Sequence, residues 1–143
     1  MKAFTLKKFL AYTHIDSKLV RATVKQLGGL KSFEEAVDDI CTHGAAGGYN
    51  GFTYYDDTIS FTKHNKKAIF DFCRDEAKSQ GYSGSLAEFV QTFNCNIDKN
   101  MEVVEDGLFS QNSEYQADIY NTLAWFILEE VARSFVSLKE TLN

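Results

Sequence analysis

The residues of this 143-residue chain that could do chemistry gather around one stretch, THGAAGGYNGFTYYDD at 42–57. His43 stands at its front, Asp56 and Asp57 at its back, and Cys41 and His64 just outside. A histidine oriented by a carboxylate is the usual equipment for moving a proton near neutral pH. A hydrolase also needs an activated nucleophile, and no strand-to-helix nucleophile elbow is present. The site is incomplete as a catalytic set, so the catalytic expectation is none.

The glycines raise a second chemistry. Four of nine fall at Gly44, Gly47, Gly48 and Gly51, and glycine-rich loops cradle phosphates with backbone amides. Such loops follow a strand and open a helix, often with a Lys-Ser/Thr pair. Here a helical pattern precedes, that pair is missing, and G-x-G-x-x-G does not occur. A metal site would have to recruit Cys41, His43, His64, Cys73 or Cys95. Cys41-x-His43 is not a usual chelate spacing and no second tight pair supports it. No cofactor and no metal are expected.

Binding chemistry is better represented. The net charge of −5 hides a division. Lys2, Lys7, Lys8, Lys18, Arg21, Lys25 and Lys31 crowd the first 31 residues against Asp16 alone, while Asp98, Glu102, Glu105, Asp106, Glu114, Asp118, Glu129 and Glu130 face only Lys99 across 97–130. Asymmetry of this kind speaks to partners rather than to fold. Carboxylates in a continuous row, Glu34, Glu35, Asp38 and Asp39 with the group at 98–106, could dock on a basic groove by imitating duplex phosphates. Tyr49, Phe52, Tyr54 and Tyr55 would add contact area at low entropic cost. The basic N-terminal helices could instead contact nucleic-acid phosphates.

The elements that must position these groups read as helices. Proline is absent and no window approaches a membrane span, the densest apolar run being LAWFIL at 123–128. The N-terminus lacks a signal-peptide pattern, and three unrelated cysteines suit a reducing cytoplasm. Leu6, Phe9 and Leu10 give one helical face. Asp16 or Ser17 can cap a second helix bearing Leu19, Val20, Val24 and Leu27, stopped by Gly28-Gly29. Ser32 and Glu35 form a capping-box pattern for a third, ending near Gly44. Gly51 to Tyr55 suits a short strand or extended piece, after which Asp57 and Asn65 can cap two further helices. Ser85-Leu86-Ala87-Glu88 opens another, and 97–106 suits an acidic helix. Ser113 can cap a final helix in which Ile119, Leu123, Ile127, Val131, Phe135, Leu138 and Leu142 recur at helical spacing. The expected fold is mainly α: one helical domain over 1–143 with a long C-terminal helix and at most a short β-hairpin or extended segment near 51–55.

His43-Gly44, Gly51-Phe52, Tyr54-Tyr55, Asp57-Thr58, Phe61 and Asn65 together resemble the pattern of a poorly characterised family of short proteins encoded by phages and conjugative plasmids. The resemblance covers about residues 40–72. It implies no reaction or ligand, only a mobile-element setting in which small acidic proteins inhibit host restriction or CRISPR systems.

The expected function is therefore a non-enzymatic, cytoplasmic inhibitor that occludes a host defence protein or nuclease complex through Glu34, Glu35, Asp38, Asp39, Tyr49, Phe52, Tyr54, Tyr55, Asp98, Glu102, Glu105 and Asp106. A nucleic-acid-binding accessory protein using the basic N-terminal helices is the first alternative, and an enzyme at the glycine-rich loop the second. No membrane partner is expected, and burial of the long helix leaves room for a homodimer.

Overall fold

The computed structural model describes residues 4–81 and 113–142, with side chains of the last helix described from residue 119. Six α-helices and one 3-10 turn make up these residues: α1 (Leu6–Tyr12), α2 (Ser17–Leu27), α3 (Leu30–His43), the 3-10 turn Ala45–Gly47, α4 (Tyr55–His64), α5 (Lys66–Ser79) and α6 (Ser113–Leu142). The expected helices at 85–93 and 97–106 lie outside the described residues. So do Asp98, Glu102, Glu105 and Asp106.

At a rise of about 1.5 Å per residue, the 30 residues of α6 run about 45 Å. It is the strut of the fold, with α1, α2, α3, α4 and the 3-10 turn all packed on it. Ile119, Leu123, Ala124, Ile127, Leu128, Val131, Ala132 and Phe135 are buried along it. Ala124 and Ala132 let neighbouring backbones come close, while Phe135 plugs the far end. Its ring meets Phe4, Phe9 and Phe33 edge-on at centroid distances of 5.1, 5.2 and 5.0 Å. Such edge-to-face contacts add about 0.5–1.5 kcal/mol each beyond burial. One aromatic knot thus ties α1 and α3 to the strut.

Polar groups taken into this core are satisfied. The Thr58 hydroxyl donates to Asn121 Oδ1 at 2.6 Å, and Thr62 donates to the Tyr120 carbonyl at 2.7 Å. Both bonds fix α4 on α6 in one register, because a slip would strand a buried hydroxyl at about 1–3 kcal/mol.

Helix ends show where local signals gave way. Asp16 caps α2 as expected, its Oδ1 accepting from the Lys18 amide at 2.7 Å. Gly28, in the left-handed region at φ 109°, ends it. The Gly29 amide donates to Val24 O and the Gly28 amide to Lys25 O, at 2.9 and 3.0 Å. This paired closure is the Schellman arrangement. Gly29 then serves at once as the N-cap of α3. The expected capping box is consequently not formed: Ser32 lies inside the first turn rather than ahead of it, because the two-glycine corner is tight enough to launch α3 at Leu30.

The extended segment near 51–55 is also corrected. Among the described residues there is no strand, and Tyr54, not Asp57, is the N-cap of α4. Starting earlier turns Thr58, Phe61 and Thr62 inward together and leaves Asp56 and Asp57 in the first turn, where the helix dipole favours carboxylates. Asn65 is the N-cap of α5 as expected, but its side chain makes no capping bond, its Nδ2 donating back to Phe61 O at 2.8 Å.

Candidate functional site

The glycine-rich stretch is built from outside and inside at once. Gly51 sits at φ +80°, and a Cβ there would strike the Gln26 backbone. The Gln26 side chain donates to Gly51 O at 2.9 Å and the Asn50 side chain to Leu27 O at 3.1 Å. From the strut, Trp125 Nε1 donates to Phe52 O at 2.7 Å. The loop is therefore anchored to both the C-terminus of α2 and the middle of α6.

Phe52, expected on a contact surface, is fully buried with its ring 5.1 Å from Phe61. It is a core residue, because the Gly51 corner turns it under the loop. Tyr49 is half-buried against the core, and its hydroxyl donates to Asp39 Oδ2 at 2.8 Å. Burial and the Asp39 bond push the Tyr49 phenol up to about 12. Tyr54 and Tyr55 do face outward, at 71% and 48% exposure.

The carboxylates of α3 stand as expected: Glu34, Glu35, Asp38 and Asp39 are all exposed. Asp39 is a junction. Besides Tyr49 it meets His43 Nδ1 at 2.9 Å, and the Tyr49 bond first, then His43, holds its carboxyl below the usual range. His43 thus has a carboxylate partner.

Beyond α3 the acidic row continues onto Glu129 and Glu130, counted in the acidic 97–130 stretch but not among the expected contact residues. Burial pushes the Cys41 thiol up; Arg133 opposes this, while Asp38 and Glu129 add to it. Glu129 Oε1 accepts from the Ala45 amide at 2.8 Å, and its Oε2 lies 3.5 Å from Arg133 Nη2. Arg133 Nη1 reaches Glu130 Oε1 at 3.2 Å. Burial holds the Glu130 carboxyl above its ordinary range; Arg133 and His14 pull it down, and Glu76 pushes it up. His14 Nε2 then meets Glu76 Oε1 at 3.3 Å. Asp38, Asp39, Glu129, Glu130 and Glu76 form a band from α3 across α6 to α5, interrupted by Arg133, with Arg74 close to its α5 end.

At the far end of the band lies a cleft of about 360 Å³, lined by Tyr12, Thr13, His14, Glu130, Arg133, Ser134, Ser137 and Leu138. The Glu129-Glu130 pair and Arg133 were visible as polar interruptions of the apolar α6 pattern; His14, in a short corner, gave no signal. Among the described residues no group of three or more His, Cys, Asp or Glu is placed to hold a metal, and no helix is long and apolar enough to cross a membrane.

The chain belongs to a family described as a domain of unknown function (DUF7222), which matches residues 11–141. No curated protein and no solved structure matches it.

Proposed function

We propose that this member of the family is a non-enzymatic binding protein that presents its acidic band, flanked by exposed tyrosines, to a basic surface on another protein. The observation that carries the reading is continuity. Carboxylates from three helices distant in sequence are brought together and outnumber the cationic groups Arg133, Arg74 and His14 set among them. A field of one sign speeds encounter with an oppositely charged partner and rejects acidic ones. In its fullest form the reading is an inhibitor encoded by a phage or other mobile element. It would occlude a defence complex whose nucleic-acid groove is basic. The mobile-element setting rests on the resemblance of residues 40–72.

The test is affinity capture with the full chain, comparing wild type with Glu34→Lys, Glu35→Lys and Asp38→Lys combined. These side chains are exposed, so the variant should fold. We expect a partner with a basic surface to be retained at low salt, lost in the variant, and released by about 0.5 M salt, where screening reaches within a few ångströms. Retention of the same proteins by the variant, at the same salt, would sink the reading.

A second reading has its own support. Lys18, Arg21 and Lys25 are exposed along one side of α2 and join no ion pair among the described residues. They could line up on nucleic-acid phosphates. Salt-sensitive DNA or RNA binding abolished by reversing these three charges would favour it over the acidic band.

A further inference from the structure

We propose that the chain docks onto further copies of itself, the start of α4 of one copy entering a groove beside α2 of the next. The proposal goes beyond the acidic-band reading, since it needs neither the carboxylates of α3 nor a foreign protein.

The groove lies where α1 meets the end of α2. Its volume is about 450 Å³, and its lining is Leu6, Arg21, Val24, Lys25, Gly28 and Gly29. Leu6 and Val24 give it apolar walls, and the two glycines open it down to backbone. Its charge is of one sign. The lining holds two cations and no carboxylate, and neither Arg21 nor Lys25 joins an ion pair among the described residues. The complementary occupant is an apolar body with carboxylates beside it.

The chain carries such a body. Tyr54, the N-cap of α4, is 71% exposed. Asp56 and Asp57 stand exposed in the first turn just behind it and join no ion pair among the described residues. Seating the ring between Leu6 and Val24 withdraws apolar surface of both copies from water, as aromatic anchors do at interfaces. The same move brings Asp56 and Asp57 against Arg21 and Lys25.

Within one chain this knob and this groove cannot meet. The Gln26 side chain donates to Gly51 O and to Asp57 O, holding the start of α4 on its own side of α2. At about 100° per residue, Gln26 points about 140° away from Arg21 and about 160° away from Val24 around the helix. Knob and groove lie on opposite sides of α2. One neighbour cannot fill a copy's groove and also receive its knob, so the contact is heterologous and does not close on a two-fold axis. Each added copy leaves one knob and one groove free, and the copies build an open row.

The experiment is sedimentation of the nuclease-treated full chain over a concentration series, beside two variants checked for native helicity. Tyr54→Ser with Asp56→Asn removes the knob, and serine is itself a good N-cap. Arg21→Glu with Lys25→Glu reverses the groove. We expect the wild type to grow past two copies as concentration rises, and to return toward monomer at about 0.5 M salt. Each variant alone should self-associate at least tenfold more weakly. Mixed one to one, the variants should form a dimer and nothing larger, because one intact knob and one intact groove remain between them. A wild type that stays monomeric at millimolar concentration, a wild type that stops at dimers, or a mixture that does not pair would overturn the proposal. So would a groove reversal that abolishes nucleic-acid binding and leaves self-association intact, which would assign Arg21 and Lys25 to phosphates instead. Neither variant alters the acidic row of α3, so this result is separable from the outcome of the α3 charge reversal.

Discussion

The loop at 44–54 and the cleft beside α6 are opposites in how they use polar chemistry. The loop directs its polar atoms inward. Gln26, Asn50 and Trp125 tie its backbone down, and Phe52 drives a ring into the core. The cleft keeps its polar groups at the surface, Thr13 bonded to Ser134 and Glu130 to Arg133, with one carboxyl, Glu130, that burial does not suit. Satisfied polar networks hold a fold in one state, whereas incompletely compensated charge is what a ligand can complete. The lesson is that conspicuous residues and functional residues need not coincide. The loop looked like chemistry and is architecture.

If that contrast is right, loop substitutions cost stability and cleft substitutions do not. The largest effect is expected for Phe52→Ala. Emptying a fully buried ring position packed on Phe61 should cost about 3–5 kcal/mol, measured by urea unfolding. A loss under about 1 kcal/mol, within the range of exposed positions, would mean the loop is not part of the core after all.

Gly51→Ala comes next. It adds left-handed strain and a clash with the Gln26 backbone, together about 2–4 kcal/mol. Gly48→Ala makes the internal comparison: its φ is also positive, but nothing lies within 4 Å of the added carbon, so about 1–2 kcal/mol of strain alone is expected. Equal losses at both glycines would remove the argument that close packing on α2, rather than turn geometry, fixes the loop.

Trp125→Phe should cost less, about 1–2 kcal/mol, by leaving the Phe52 carbonyl without its donor from α6. Hydrogen exchange should quicken at the amides of 49–53 and stay unchanged in α2. Uniform exchange would show that the bond does not anchor the loop.

Particular residues show what the sequence made legible. Leu19, Val20, Val24 and Leu27, closed by Gly28-Gly29, announced α2 because stripe and stop agree locally. Ile119 through Phe135 announced α6 for the same reason. Ser32 and Glu35 misled, since a capping box works only if no nearer residue starts the helix, and Gly29 does. Phe52 misled because its burial depends on α6, some seventy residues away. The cleft was out of reach for a similar reason: His14 and Glu130 come from a corner and a helix more than a hundred residues apart, and only tertiary packing brings them to one cleft. Exposed Glu34 and Glu35 were legible, because an acidic helical face needs no long-range information to be read as solvated.

The smallest stability effect, and the one that cuts most directly between the two regions, belongs to Glu130→Gln. Burial raises the folded-state pKa of Glu130. A carboxyl with a raised folded value favours the folded state when protonated, and that advantage is lost as pH rises through the folded value. At neutral pH the wild-type carboxylate therefore carries a cost that Arg133 and His14 offset only in part and that glutamine lacks. The variant should be as stable as wild type or more so at pH 7, the difference shrinking as pH falls below the ordinary carboxylate range, in paired thermal melts. Arg133, already largely exposed, loses little when its partner becomes an amide. Destabilisation by Glu130→Gln at neutral pH, comparable to Trp125→Phe, would instead make the cleft a structural joint like the loop.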